Sequence, residues 1–103
     1  MSRGPDAATL LRRALERHAD AAGCDVSVCV RDSTRWASAT FAGARHTVAL
    51  TLHDDPAGGL WLNGLGEAEL PLRGHLVADI VTLSVTRHDE DLLVTLEALT
   101  VEV

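Results

Sequence analysis

The sequence predicts an α+β fold: one N-terminal helix packed on a curved antiparallel sheet of about six strands, ending in a long two-stranded hairpin. Three observations carry that prediction. Apolar residues recur at helical spacing only near the N-terminus. From Val26 onward they alternate with polar residues, the pattern of antiparallel strands with one face buried. Residues 75–103 then divide into two apolar-rich runs around the acidic stretch His88-Asp89-Glu90-Asp91. A helix followed by strands favours a helix layered on a sheet.

The helix is expected over residues 5–22, where Ala7, Leu10, Leu11, Ala14, Leu15, His18 and Ala21/Ala22 share one stripe. Pro5 suits a first helical position, Asp6 favours the first turn, and Gly23 supplies the stop. Such a one-sided helix needs a sheet to cover its apolar stripe. Val26, Val28 and Val30 form a first strand, with a turn near Asp32-Ser33. Ala37, Ala39 and Phe41 form a second, and Val48, Leu50 and Leu52 a third after a turn near Gly43-Ala44. His53 to Gly59 reads as a loop. Leu60-Trp61-Leu62 is a short strand candidate, and Ala68, Leu70 and Leu72 an irregular one, confined by Pro71 to an edge or a bulge.

The final hairpin, His75 to Val103, admits an unbroken ladder. Val85 then faces Val94, Leu83 faces Leu96 and Val81 faces Ala98, all on one side. Further toward the root Ile80 faces Leu99, Ala78 faces Val101 and Leu76 faces Val103, on the other side. This reading has both strands change faces at one rung and contains no bulge. The distal face, Leu83, Val85, Val94 and Leu96, then needs a cover different from that of the proximal face. A second copy of the chain is the expected cover, which makes these four residues the interface candidates and a homodimer the expected state.

Composition narrows the function. A chain of 103 residues is expected to form one domain, residues 1–103, and 47% hydrophobic residues suffice for a core. No run approaches the roughly 20 apolar residues a bilayer span needs, and the N-terminus lacks a signal-peptide pattern, so a cytoplasmic protein without a membrane partner is expected. Every basic residue is Arg and Tyr is absent, the usage of a high-GC bacterial coding sequence. Lysine Schiff bases, a phosphate-loop lysine and tyrosine chemistry are excluded with them. A net charge of −6 with scattered arginines and three aromatics argues against nucleic acid. Cys24 and Cys29 lie about 16 Å apart if one strand carries both, too far for a disulfide.

The candidate chemistry is sparse. His53, Asp54 and Asp55 offer one imidazole and two carboxylates to a metal, but adjacent residues rarely converge on one ion, and a solvated turn explains them as well. His46 falls on the apolar parity of its strand. His75 and Asp79 share a strand face about 13 Å apart, and Asp79 interrupts an apolar run. Together with Trp61 these are the ligand candidates. No nucleophile elbow or phosphate-cradling loop is present, and no cofactor is expected. Two readings follow. The first is a non-enzymatic interaction module, homo-oligomeric through its sheet or hairpin. The alternative is a small-molecule-binding domain or small enzyme with a pocket between helix and sheet, near His46, Trp61, His75 and Asp79.

Overall fold

The structure is a computed structural model that describes residues 6–103. It runs α1 (Ala7–Ala21), β1 (Val26–Ala37), β2 (Ala42–His53), α2 (Pro56–Gly64), a 3-10 turn (Leu65–Glu67), β3 (His75–His88) and β4 (Asp91–Glu102). The strands form one antiparallel sheet in the order β1-β2-β4-β3. The α+β class and the N-terminal helix agree with the sequence reading. The expected six strands are corrected to four, and a second helix is added.

α1 begins at Asp6, whose carboxylate caps the helix by accepting from the Thr9 N–H at 2.9 Å. Asp6 is thus the N-cap rather than a first-turn residue, and the position expected for Pro5 lies outside the described residues. The helix ends as expected at Gly23, with φ 74°. The Gly23 N–H donates to Asp20 O and the Cys24 N–H to Ala19 O, the paired closure a left-handed glycine allows.

Two of the expected strands are one. β1 runs straight through Asp32-Ser33, with Arg31 as an extra residue where the pairing to β2 shifts. The chain reverses at residues 38–41 instead. There the Ser38 N–H donates to Phe41 O at 2.7 Å, and the Phe41 N–H donates to Ser38 Oγ at 3.1 Å. A serine side chain closes this turn, so no glycine or proline marks it in sequence. Gly43 lies inside β2, where a Cβ would collide with the Thr100 carbonyl oxygen and press on the Trp36 ring.

The segment expected as loop and short strand forms α2. Asp55 caps it by accepting from the Gly58 N–H at 2.7 Å, and Pro56 occupies its first turn. Gly58 allows the helix to fold back on β2, since a Cβ there would lie 2.5 Å from His53 O. Trp61 is delivered to the core from this helix, not from a strand.

Both helices cover the same sheet face. Leu11, Ala14, Leu15 and Ala19 of α1, with Trp61 and Leu65, pack on Val48, Leu50 and Leu52 of β2 and on Leu92, Val94, Leu96 and Ala98 of β4. β4 keeps one parity inward from Leu92 to Thr100 and never changes sides. The unbroken ladder is therefore corrected as well. Val85 does pair with Val94, but Thr82 pairs with Leu96, Ile80 with Ala98 and Leu76 with Val101. β3 carries two extra residues, Ala78 and Leu83, at the two register shifts. Only β3 shifts its backbone register, and it does so by bulges; β4 makes no such shift. Among the described residues no helix is long and apolar enough to cross a membrane.

Candidate functional site

Beyond the Arg31 bulge the covered face of the sheet turns polar. The rung Ser33–His46–Ala98–Ile80 crosses it, followed by Arg35–Ala44–Thr100–Val77. α1 starts above these rungs and leaves a cavity of about 340 Å³ between its first turn and the sheet. Asp6, Ala7 and Ala8 line one wall; Ser33, His46 and Thr100 line the other; Arg35, His75 and Glu102 also border it.

His46 and Thr100 are buried, at 1% and 0% exposure, and they are the buried polar residues of the described chain. Their hydrogen bonds fix the imidazole. Thr100 Oγ1 donates to the Ala44 carbonyl at 3.4 Å, which leaves its oxygen to accept from His46 Nε2 at 3.0 Å. That arrangement assigns the ring proton to Nε2. Nδ1 becomes an acceptor, and Ser33 Oγ lies 2.7 Å from it. Burial lowers the His46 pKa below its usual 6.5; the Asp6 carboxylate raises it, and His75 lowers it further. The Asp6 carboxyl is itself lowered, chiefly by the hydrogen bond from the Thr9 N–H. The result is a neutral imidazole held in one tautomer, with a hydroxyl on its free nitrogen.

The residues named from sequence scatter. His46 and His75 do share this cavity; His75 Nδ1 donates to Arg73 O at 3.1 Å. Trp61 lies elsewhere, its indole N–H donating to His18 Nδ1 at 2.8 Å beside a more open depression between the helices. Asp79 pairs with Leu99 and is exposed on the opposite sheet face. The three metal candidates have separate engagements. His53 Nδ1 lies 3.3 Å from Asp91 Oδ1, Asp54 accepts from Arg87 Nε at 2.6 Å, and Asp55 caps α2. Among the described residues no group of three His, Cys, Asp or Glu side chains has a metal-binding arrangement. Of the interface candidates, Val94 and Leu96 are buried under the chain's own helices, whereas Leu83 and Val85 are about half exposed.

Sequence reasoning missed Ser33, Thr100 and Asp6. The sequence pattern places Ser33 in a turn, and Thr100 hides because it occupies a core position that an apolar-parity count skips. The available signal was the polar run Arg31-Asp32-Ser33-Thr34-Arg35, long for a turn.

The second site is the face the helices leave bare. Reading across the strands, its rungs are Cys29–Ala49–Thr95–Ser84, Asp32–Thr47–Glu97–Val81, Thr34–Arg45–Leu99–Asp79 and Trp36–Gly43–Val101–Leu76. At the Trp36 end an apolar hollow collects Trp36, Phe41, Leu76, Ala78 and Val101. Phe41 and Leu76 are 59% and 58% exposed. At its centre Arg45 Nε sits 3.7 Å from Glu97 Oε1.

The fold and these two sites define a helix-covered four-stranded antiparallel sheet with a polar cavity on one face and an unshielded apolar corner on the other. Comparison with protein-family models, curated proteins and solved structures gives no match.

Proposed function

We propose that the protein is a small bacterial cytoplasmic interaction module that forms a homodimer through the bare face of its sheet. One observation carries this reading: large apolar side chains cluster at one end of a sheet face that no described helix covers. A contiguous apolar patch rimmed by polar groups marks an interaction surface. Four strands of about twelve residues present roughly 20 Å by 40 Å, on the order of 800 Å², the area one partner contributes to a standard interface. The face carries Arg45 beside Glu97 and also Asp32 and Asp79. Across a two-fold axis Arg45 of one copy can pair with Glu97 of the other. Free Cys24 and Cys29, the latter exposed, suit a reducing compartment.

Light scattering after gel filtration tests the dimer. The wild-type chain is expected to be a dimer at micromolar concentration, Leu76→Asp a folded monomer, and Val85→Asp, on the edge strand, still a dimer. A strict monomer across that range, or dissociation by Val85→Asp and not by Leu76→Asp, sinks the reading.

A second reading, a small-molecule site between helix and sheet, is favoured by the cavity beside His46 and His75.

A further inference from the structure

The cavity holds more than a rim of polar atoms, and its chemistry can be taken further, resting on the small-molecule reading. Its wall contains a hydroxyl, an imidazole and a second hydroxyl in one hydrogen-bonded chain: Ser33 Oγ to His46 Nδ1 at 2.7 Å, and His46 Nε2 to Thr100 Oγ1 at 3.0 Å. The direction of that chain is set at its far end, because Thr100 Oγ1 donates to the Ala44 carbonyl. In the tautomer so assigned, the Ser33 hydroxyl donates to the unprotonated Nδ1 of a buried ring. A nucleophile within hydrogen-bond reach of a base, with the base oriented by a third group, is the geometric signature of an activated serine. Ser33 is exposed, whereas His46, which borders the same cavity, is almost fully buried.

We propose that Ser33 is a nucleophile activated by His46, and that the cavity accepts small acyl esters for transfer to water. Ser33 Oγ forms a bond to the ester carbonyl carbon as its proton passes to His46 Nδ1. The tetrahedral adduct then expels the alkoxide, which takes that proton and leaves as the alcohol. Water attacks the acyl-serine, giving a proton to Nδ1; the carboxylic acid departs and the proton returns to Ser33 Oγ. No redox partner is needed. The first N–H groups of a helix lack intrahelical partners, and Ala7 and Ala8 of α1 both line the cavity opposite Ser33. The developing oxyanion is assigned to the N–H groups of this first turn. The Asp6 carboxylate nearby is engaged by the Thr9 N–H. Thr100 is a positioning residue, holding the tautomer that leaves Nδ1 free. A volume of about 340 Å³ restricts the acyl and alkyl groups to small ones.

The test uses a small alkyl fluorophosphonate and, separately, p-nitrophenyl acetate. The chain carries Cys29→Ala so that the exposed thiol does not compete. Intact-mass and peptide mapping are expected to show one phosphonyl group, on Ser33, and none in Ser33→Ala. His46→Gln should slow modification at least about 100-fold, the low end of a general-base contribution. Thr100→Val should also slow it, and Thr100→Ser should restore it; circular dichroism confirms that each variant is folded. The wild-type rate should fall with acidification as the imidazole takes up a proton. An adduct elsewhere, an adduct that survives Ser33→Ala, or a rate insensitive to His46→Gln overturns the proposal. Saturable, reversible occupation of the cavity without a covalent adduct overturns the nucleophile yet leaves the small-molecule reading standing. The dimer, on the opposite face, is untouched by either result.

Discussion

Acid should unfold this protein earlier than its carboxylates alone require, because His46 is buried in its neutral form. The ring is 1% exposed, and burial lowers its folded pKa below the 6.5 of an unfolded chain. In the unfolded state it takes up a proton as pH falls through 6.5; in the folded state it resists until a lower pH. Over that interval the unfolded chain binds more protons, so stability drops as pH falls and is fully present above 6.5. One such group gives a slope of at most about 1.4 kcal/mol per pH unit. Desolvation is the principal cause, since Ser33 can rotate its hydroxyl to accept from a protonated Nδ1 while Thr100 still accepts from Nε2. The charges facing the ring partly cancel: Asp6 favours the imidazolium and His75 disfavours it. Asp6, lowered from 3.8, adds its own loss only as pH falls below that value. Urea unfolding, followed by tryptophan fluorescence between pH 4.5 and 8 at fixed protein concentration, reads this interval. His46→Leu supplies the reference. It removes two hydrogen bonds and should cost about 1–2 kcal/mol at pH 8. Without the titrating ring, its stability should lack this slope below pH 6.5, so the gap to wild type narrows on acidification. A gap that stays constant from pH 8 to 4.5 refutes the argument.

Two further predictions test the packing. Gly43→Ala forces a methyl group against the Thr100 carbonyl and the Trp36 ring; it should destabilise the fold by about 2–3 kcal/mol, the overpacking range, read as a lower urea midpoint. Leu96→Ala empties a fully buried site and should cost about 2–5 kcal/mol, with Tm falling roughly 10 °C or more in thermal melts. Leu83→Ala on the same hairpin should change stability by less than about 0.5 kcal/mol. Equal effects at the two positions contradict the register.

The helix and the hairpin were legible because their signals are local. α1 has a stripe, a cap and a glycine stop, and the hairpin has two apolar runs around Asp89, whose φ of 55° an aspartate tolerates. The register was not legible, for a physical reason. At the root of β4 the outward residues Leu99 and Val101 are apolar, while the inward Thr100 is polar and satisfied by His46 and Ala44. Parity counted by hydropathy therefore switches where the backbone does not. β3 supplied an apparently matching switch through Ala78 and Leu83, and two unrelated causes looked like one. α2 was hidden by Gly58-Gly59, although Asp55-Pro56 before them is a cap and first-turn pair. The site followed from the same error: Ser33 faces the cavity only because Arg31 is skipped in the pairing.

Those skipped residues on β3 also bear on whether sheets can add edge to edge. β3 is fourteen residues long and lies at the edge of the sheet, which offers its unpaired backbone groups to any other strand. Ala78 and Leu83 divide that edge into three short stretches out of phase with one another. A neighbouring strand finds no continuous template, and growth by adding sheets side by side, which has no natural end, stalls within a few residues. The contact proposed across the bare face would, by contrast, close after two copies. The bulges thus act on assembly as a stop codon acts on a message: they set where addition ends.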